Sequence, residues 1–549
     1  MNKKTSIVLP LIIAVAIVLG MFIGRALTYR SGSAILNDLR KYSSANKIDA
    51  VLQLISSSYV DTIDARKLQE DIIPVFLEKL DPHSAYIPAK DMREISQEMS
   101  GNFGGIGVQF SIQSDTVRVI DVISGGPSQK LGILPGDRIT IVDDSLIAGV
   151  GVENETVMNL LRGEKGTKVK VGVERKNIND VIWFDITRGE IPLYSVDVNF
   201  MVDDTTGYIK VSRFAEKTHR EFVDACENVI SQGATQFIID LRGNPGGYLT
   251  AVIRMVNEFL PKDAMIVYTE GRARARRESR ADGSGRFLNQ RVVVLIDEYS
   301  ASASEIFSGA LQDNDRAVIV GRRSFGKGLV QEQVPFTDGS ALRLTVARYY
   351  IPSGRCIQKP YAEGETEYRM DIFNRMAHGE LSQVDSIHFS DSLRYETLNK
   401  RVVYGGGGVM PDLFVPIDTT GYSDYFSQVI QKGLTYRFAI DYVDANRKEM
   451  QQFTTAQEIE RYLKKEQILN RFVEYARQED VPRSTQGLKE SGEIIERQVM
   501  AYIARNMIGE VGFYPIIQEM DNVMHEAEHL LSNENAYEDY LLNVSTDEE

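Results

Sequence analysis

Ser302 stands where a catalytic nucleophile would be expected in this chain. It follows the apolar run VVVLID (292–297) through a short turn and opens the helix-like segment SASEIFSGALQ. Because amide N–H groups at a helix N-terminus can stabilise a developing oxyanion, a serine at such a strand-to-helix junction suits nucleophilic attack. Glu305 follows three positions later, so the same residues also form a capping box, which requires no catalysis. Both interpretations stay open on this segment alone.

A serine nucleophile needs a base, and the sequence offers Lys327. The only histidine in the surrounding segment is His219, at what looks like the exposed start of a helix. A lysine buried among apolar groups loses its proton readily and can then accept one from a serine hydroxyl. Lys327 lies between two glycines beside the strand-like run LVQEQV, so a Ser–Lys pair is physically sound. The alternative is an exposed lysine on a glycine-rich turn.

Strands and helices alternate from Ile191 to Gln358, and these elements must position both residues. Near-continuous apolar runs such as VVVLID alternate with segments such as EFVDACENVISQG, which is typical of an α/β fold with helical crossovers. Two further strands, VQEQVPF and ALRLTVARYYIPSG, close this segment. Residues 361–400 look like a polar insertion, and the chain after Asp424 is helical and increasingly acidic.

Residues 101–188 have a different pattern, with short β-like runs punctuated by glycine and one amphipathic helix. They resemble a PDZ domain, a module that binds carboxyl-terminal peptides. In that family a loop of alternating glycine and apolar residues offers N–H groups to a terminal carboxylate, and the peptide adds as a strand to the sheet edge. Asn159 to Leu161 would lie near this groove, and the alternative is a simple strand entrance at GGIGV. The residues that match the loop are Gly105, Ile106, Gly107 and Val108.

Several ordered segments together resemble the carboxyl-terminal processing, or tail-specific, serine proteases of peptidase family S41. The resemblance runs from about Leu80 to Asp412, and it implies an α/β protease core of the ClpP/crotonase-like kind with an inserted PDZ domain. It implies no metal or cofactor. The segments that carry it are IDLRGNPGG, YSASASEIFSGALQDNDRAVIVG, SFGKGLVQ, ARYYIPSGRCIQ and GGGVMPD.

The resemblance also assigns roles to individual residues. It implies that Ser302 is the nucleophile, that Lys327 is the general base and that Gln331 orients the lysine. Asp313 occupies a position where the family often has an acidic support residue. Ser300 and Ser304 stay alternatives to Ser302 if the turn is displaced. The resemblance implies that the oxyanion N–H groups belong to Gly246, Gly247 and Ala303.

The N-terminus predicts a membrane anchor. Lys3 and Lys4 precede an uncharged stretch from Thr5 to Gly24, which as a helix would reach roughly 30 Å and cross a bilayer. We expect an uncleaved signal anchor in the inner membrane, with the rest of the chain on the periplasmic side. A cleaved signal peptide is the alternative.

The sequence thus predicts five parts, since the chain is too long for one core. They are a signal anchor at 1–30, an N-terminal helical region at 31–100, the PDZ domain at 101–188, the protease core at 189–420 with its insertion at 361–400, and a C-terminal helical extension at 421–549.

Three other features suggest functions that we do not favour. Residues 321–327 read GRRSFGK, but Gly328 stands where a phosphate-binding loop needs Ser or Thr. The segment HEAEH has the form of a zinc motif with His525 and His529, yet it looks like a surface amphipathic helix. The run from Arg272 to Arg280 is predicted to be a solvated loop, and the alternative is a rim that attracts acidic substrate or contacts the acidic C-terminal tail. A net charge of −15 argues against nucleic acid as a partner.

The sequence therefore predicts a serine endopeptidase that cleaves proteins near or from their C-termini and recognises unstructured tails through its PDZ domain. The rival hypothesis is a PDZ-type scaffold that binds tails while its protease domain is inactive or gated. Arg162, at the end of the PDZ helix, is a speculative contact between the two modules. The sequence leaves open a homo-oligomer or an adaptor.

Overall fold

The computed structural model describes residues 14–23, 25, 47–113, 115–123, 125–176, 178–388 and 390–542. The chain divides into two compact units, Met1–Leu80 and Asp81–Glu549. The predicted anchor at 5–24 falls partly outside the described residues, of which 14–23 are helical and are labelled α1. No described helix is long and apolar enough to cross a membrane, so the anchor stays a prediction.

The described part of the first unit contains two further helices, which fall within the region predicted at 31–100. The Asp64 side chain accepts hydrogen bonds from the N–H groups of Arg66 and Lys67, and this cap fixes the start of the second helix. The helices are α2 (Lys47–Ser58) and α3 (Ala65–Leu77).

The segment predicted to be a PDZ domain is a small β-rich module with its own apolar core. Its sheet has the order β3-β4-β5-β7-β8, with β6 paired to β5, so that β3 forms one edge. Short helix α5 (Pro127–Leu131) accompanies the predicted helix α6 (Asn154–Leu161). The strands are β3 (Val108–Gln113), β4 (Thr116–Val122), β5 (Arg138–Val142), β6 (Ser145–Leu146), β7 (Lys168–Glu174) and β8 (Ile182–Thr187).

Two strands and a helix link this module to the rest of the second unit. Helix α4 (Ala89–Ser100) ends at Gly101 and leads into β2 (Asn102–Gly105), which pairs with β9 (Gly189–Pro192). The PDZ-like module is thus inserted into the chain between two antiparallel strands that lie side by side.

A six-stranded sheet of order β10-β11-β12-β15-β16-β21 forms the centre of the α/β core that was predicted from the sequence. All neighbours from β11 to β21 are parallel, and the antiparallel edge strand is β10. Helices α7, α8 and α9 cover one face of this sheet. The elements are β10 (Val196–Met201), β11 (Thr206–Val211), α7 (Thr218–Ser231), β12 (Gln236–Asp240), α8 (Leu249–Asn257), β15 (Arg291–Ile296), α9 (Ala303–Asp313), β16 (Val318–Gly321) and β21 (Leu413–Phe414).

The C-terminal helices α17 (Asn522–Ser532) and α18 (Glu534–Leu542) cover the other face of the same sheet. The Tyr537 hydroxyl accepts a hydrogen bond from Val292 N–H at 3.0 Å and donates to Val292 O at 3.1 Å. Parallel strands need apolar cover on both faces, and here the end of the chain supplies it. The helix that carries HEAEH is amphipathic, as the sequence indicated: its apolar face packs on the sheet and both histidines are exposed.

A second sheet, of order β1-β18-β13-β14 with β17 paired to β18, lies in the same unit. It corrects one prediction, because Arg274–Arg280 is strand β14 and not a loop. Main-chain pairing with β13 stabilises this strand, and exposed charged side chains are well tolerated on an edge strand. The other strands are β1 (Ala85–Ile87), β13 (Met265–Gly271), β17 (Leu329–Pro335) and β18 (Ala341–Tyr350).

The insertion at 361–400 folds into helix α10 (Glu365–Ala377), two short 3-10 turns and strand β19 (Arg394–Glu396), which pairs with β20 (Val402–Tyr404). The region after Asp424 is helical, as predicted, and the helices from α11 to α16 have a separate apolar core. They are α11 (Asp424–Gln431), α12 (Leu434–Met450), α13 (Ala456–Lys465), α14 (Ile468–Gln478), α15 (Thr485–Ile508) and α16 (Glu510–Ile517).

One buried cation joins this helical region to the PDZ-like module. Arg118 of β4 forms an ion pair with Asp441 of α12 at 2.9 Å and a second with Asp444. Arg447 also donates to the carbonyl of Pro135 at 3.1 Å. The module therefore has a fixed polar contact with the C-terminal helices.

Candidate active site

A cleft of about 700 Å³ lies where the ends of several elements of the second unit meet. It is bordered by the loop between β12 and α8, the N-terminus of α9, the start of β17, and helix α4. Six of the seven residues assigned to the site by resemblance line it: Ser302, Lys327, Gln331, Gly246, Gly247 and Ala303.

Ser302 precedes the first turn of α9 and has a left-handed backbone conformation, with φ 57° and ψ −111°. A non-glycine residue rarely adopts this conformation, and the surrounding hydrogen bonds must maintain it. Ser300 and Ser304 are fully buried, and their hydroxyls donate to the carbonyls of Leu241 and Asn244, both at 2.9 Å. Of the three candidate serines, only Ser302 lines the cleft.

Glu305 connects the serine to the lysine through a single buried carboxylate. Its Oε2 accepts the N–H of Ser302 and the N–H of Lys327, both at 2.8 Å. Its Oε1 accepts Gly326 N–H at 2.7 Å and the Ser324 hydroxyl at 2.6 Å. Burial raises the pKa of Glu305 to about 7, although all four hydrogen bonds favour the ionised form. Capping of α9 and support of a catalytic pair are therefore compatible roles of this residue.

Lys327 is half-buried immediately before β17. Burial lowers the pKa of its amine, the Arg343 guanidinium lowers it further, and Glu305 and Asp81 oppose the change. Within the described part of the chain, the side chain of Lys327 forms no hydrogen bond and no ion pair, while the Tyr349 hydroxyl donates to its main-chain carbonyl. A lysine in this environment can serve as a neutral base.

Gln331 donates from its side-chain amide to the main-chain carbonyl of His83, 248 residues away in sequence. Its predicted role in orienting Lys327 stays a prediction. Through its contact with Gln331, His83, which is far from Ser302 and Lys327 in sequence, lies beside the cleft. Burial and the charge of Lys327 lower the pKa of His83 to about 4, so it is uncharged at neutral pH. No spacing in the sequence could have revealed this neighbour.

The three predicted oxyanion donors differ in the structure. Gly246 N–H already donates to Asn244 Oδ1 at 2.8 Å, so it is not a free donor. Among the described residues, the N–H groups of Gly247 and Ala303 have no acceptor, and they remain candidates. Gly246 instead provides space, since at φ 99° a Cβ would lie 2.8 Å from both Ala303 N and Ser302 Cβ.

Asp313 is not brought to the cleft. It lies at the opposite end of α9 from Ser302, where it pairs with the fully buried Arg355 at 2.8 Å. It also accepts hydrogen bonds from the N–H and hydroxyl of Ser353. Its position supports the core rather than the catalytic pair, because an eleven-residue helix separates the two ends.

The other histidines do not contribute to this site. His219 Nε2 and Glu258 Oε1 share a hydrogen bond of 2.8 Å, and His219 does not line the cleft. His525 and His529 lie on the exposed side of α17. Among the described residues, no group of three or more His, Cys, Asp or Glu is arranged to hold a metal ion.

A second groove, of about 450 Å³, lies between α6 and the start of β3. The predicted loop Gly105–Val108 lines it, and in the described part of the chain the N–H groups of Ile106 and Gly107 have no acceptor. Arg162 lies over the ring of Phe103, on the linking strand β2, at 4.8 Å. Its contact with the protease core stays a prediction. The helix residues that line the groove are Asn154, Met158 and Leu161.

The parallel core, the serine at a helix N-terminus, the buried lysine and the peptide groove define a serine-type peptidase with a PDZ domain. Family models agree: peptidase family S41 matches residues 205–367 and the PDZ domain matches 104–182. A family of unknown function, DUF8443, matches 425–509.

Curated relatives extend this match over most of the core. The carboxy-terminal-processing protease of Bartonella bacilliformis is 35% identical over 348 residues, which cover 62% of this chain and 79% of that protein. The carboxy-terminal processing protease CtpA of Bacillus subtilis is 34% identical over 318 residues, 58% of this chain and 67% of that protein. The chain therefore belongs to the carboxy-terminal processing proteases of peptidase family S41.

A solved structure, the photosystem II D1 C-terminal processing protease, is 26% identical to this chain. The alignment covers 59% of this chain and 89% of that one, with a TM-score of 0.34. A likeness of that size carries no argument about function.

Replacing Glu305 by Gln should lower proteolytic activity by at least roughly tenfold. The side-chain nitrogen of glutamine cannot accept a hydrogen bond, so N–H or O–H donors that now bond to a carboxylate oxygen would lose their acceptor. The measurement is the initial rate of cleavage of an unfolded protein by each variant. Glu332→Gln is the matched control, since Glu332 is exposed and forms an ion pair with Arg274 at the surface. Equal rates for the wild type and Glu305→Gln would contradict the proposed support of the catalytic pair.

Proposed function

We propose that this protein is a serine endopeptidase that cuts proteins near their carboxyl termini, with Ser302 as nucleophile and Lys327 as general base. The observation that carries the proposal is the shared Glu305 oxygen, which holds the backbones of both residues at one cleft. Membership of the S41 family supports the same reaction class.

The reaction follows from the groups that line the cleft. Neutral Lys327 takes the proton of the Ser302 hydroxyl while the serine oxygen attacks the scissile carbonyl carbon. The N–H groups of Gly247 and Ala303 stabilise the oxyanion that forms. The lysine then gives its proton to the leaving amine, the acyl-enzyme remains, and water repeats the sequence to release the acid.

The PDZ groove supports recognition of a substrate tail. The N–H groups of Ile106 and Gly107, which have no acceptor among the described residues, suit a terminal carboxylate, and edge strand β3 can pair with an extended peptide. The apolar walls of the groove suit an apolar last residue. They are formed by the side chains of Phe103, Phe110, Met158 and Leu161.

We further propose that residues 5–24 anchor the chain in the inner membrane, so that the protease faces the periplasm. The support is the length of the uncharged stretch between Lys4 and Arg25. A mature N-terminus located beyond residue 25, read from the mass of the isolated protein, would replace the anchor by a cleaved signal peptide. A homo-oligomer or an adaptor stays open beside this proposal.

Ser302→Ala and Lys327→Ala should each reduce cleavage of a reduced, carboxymethylated protein by at least about 1000-fold, because each removes one member of the nucleophile–base pair. Surface variants Ser231→Ala and Lys262→Ala are the matched controls and should cleave at the wild-type rate. Circular dichroism would verify that all four variants are folded. Undiminished cleavage by either catalytic variant would refute the assignment, and a wild type that binds tails without cutting them would favour the inactive scaffold.

Substrate tails should bind the PDZ groove only with a free carboxylate. A peptide that ends in an apolar residue should lose at least roughly tenfold in affinity when its C-terminus is converted to a carboxamide, since the two loop N–H groups then face an uncharged partner. Calorimetric titration of Ser302→Ala with the two peptides measures this difference. Equal affinities of the two peptides would show that the loop does not recognise the terminal carboxylate.

A further inference from the structure

Hydrogen bonds through Gln358 connect the segment that carries Lys327 to the polar insertion. Gly328, the residue after the lysine, donates its N–H to Gln358 Oε1 at 2.8 Å. The side-chain nitrogen of Gln358 in turn donates to the Tyr368 hydroxyl at 3.4 Å. Tyr368 lies on α10, so the insertion reaches the vicinity of the predicted base.

A second connection returns from Tyr368 to the same segment. The Tyr368 hydroxyl and His83 Nε2 share a hydrogen bond of 2.8 Å, and the two rings meet edge to face. The main-chain carbonyl of His83 accepts the amide of Gln331, four residues after Lys327. These four hydrogen bonds link Gly328, Gln358, Tyr368, His83 and Gln331 in turn, and the main chain from Gly328 to Gln331 closes the ring, here called the base ring.

Tyr368 is firmly held at the centre of this arrangement. Only 4% of its surface is exposed, and its ring packs edge to face with the Phe325 ring, with 5.9 Å between the two ring centroids. The Lys359 ammonium lies 4.3 Å from the Tyr368 ring centre and pairs with Asp371 at 2.9 Å. A buried tyrosine hydroxyl needs polar partners, and here they come from the base ring.

The turn that presents His83 is equally well fixed. The Asp81 carboxylate accepts the N–H groups of His83 and Ser84, each at 2.9 Å. It also accepts the hydroxyls of Ser84 at 2.6 Å and Thr345 at 3.0 Å. Since Thr345 belongs to β18, which pairs with the strand of Gln331, the turn and the base segment share one scaffold.

We propose that His83 and Tyr368 are positioning residues, which hold the Lys327 segment against Ser302 through Gln331 and Gln358. This inference rests on the proposed function, because it assumes that Lys327 is the base. Neither residue touches the reacting atoms. The polar insertion thereby has a role in catalysis, since its helix α10 supplies Tyr368.

The pKa of Lys327 depends on the charged groups around it and on its burial. A change in that pKa can therefore reveal a change in the base ring. The charged or titratable groups that face the lysine are Arg343 and Tyr349 on β18, Glu305 on α9, and Asp81 and His83 on the turn. Burial is the main cause of the lowered pKa of Lys327, so a looser segment that admits water should raise that pKa.

The test removes only the tyrosine hydroxyl from the full-length protein. For Tyr368→Phe we expect kcat at neutral pH to fall roughly tenfold, with KM for a reduced, carboxymethylated protein nearly unchanged. The rising limb of kcat against pH should move upward by roughly one pH unit. Tyr361→Phe is the matched control, because this tyrosine lies in the same insertion and its hydroxyl accepts a hydrogen bond from Arg348 at the surface.

A second variant separates positioning from folding. His83→Asn should reproduce the kinetic change of Tyr368→Phe, and the double variant should be little worse than either alone, because one ring is broken in all three. An unchanged pH profile and unchanged kcat per folded molecule in Tyr368→Phe would overturn the inference. So would fully additive losses in the double variant.

The proposed function can fail separately from this inference. If Ser302→Ala cleaves the substrate as fast as the wild type, the assignment of the nucleophile is wrong, and the base ring cannot have the role in catalysis proposed for it. If cleavage depends on Ser302 and Lys327 while Tyr368→Phe behaves as Tyr361→Phe does, the function stands and only the base ring is refuted.

Discussion

The carboxylate of Glu305 is the constraint on which the rest of this site depends. Four donors from two segments converge on its two oxygens, and one of those oxygens joins Ser302 to Lys327. A buried carboxylate is costly unless its hydrogen bonds are satisfied, and satisfying them forces the serine turn and the lysine loop together. The strained backbone of Ser302 persists because these bonds, and not its own preference, determine it.

Ion pairs and hydrogen bonds connect the end of β12, and the loop that follows it, to the C-terminal helix α17. Asp240, at the end of β12, accepts hydrogen bonds from Tyr208 and Lys210 and pairs with Arg242. Arg242 also pairs with Asp521 at 2.7 Å, and Asp521 caps α17. Since Arg242 belongs to the loop that presents Gly246 and Gly247, the C-terminal helices support the oxyanion side of the cleft. The extension is thus an integral part of the peptidase.

The PDZ domain and the cleft share a neighbour in α4. Met92 and Met99 of this helix line the cleft, and Lys90 pairs with Glu155 of α6 at 2.8 Å. The helix then continues into the strand that precedes the Gly105–Val108 loop. The peptide groove and the nucleophile are therefore connected through one short amphipathic helix, while Arg118 connects the same domain to the C-terminal helices.

The sequence by itself determined most of the elements, because apolar periodicity, glycine spacing and strand-to-helix junctions are local properties, while the charged strand β14 has no apolar pattern and was predicted to be a loop. Local pattern marked Ser302 and Lys327 only as candidates, and the resemblance to the S41 proteases and to PDZ domains implied their roles and that of the Gly105–Val108 loop. Tertiary structure alone decided which distant groups surround them: His83, Tyr368 and Asp521 come from segments whose spacing carries no signal. It also decided that Gly246 provides space and that Asp313 supports the core, since the partners of a buried polar group are set by three-dimensional packing.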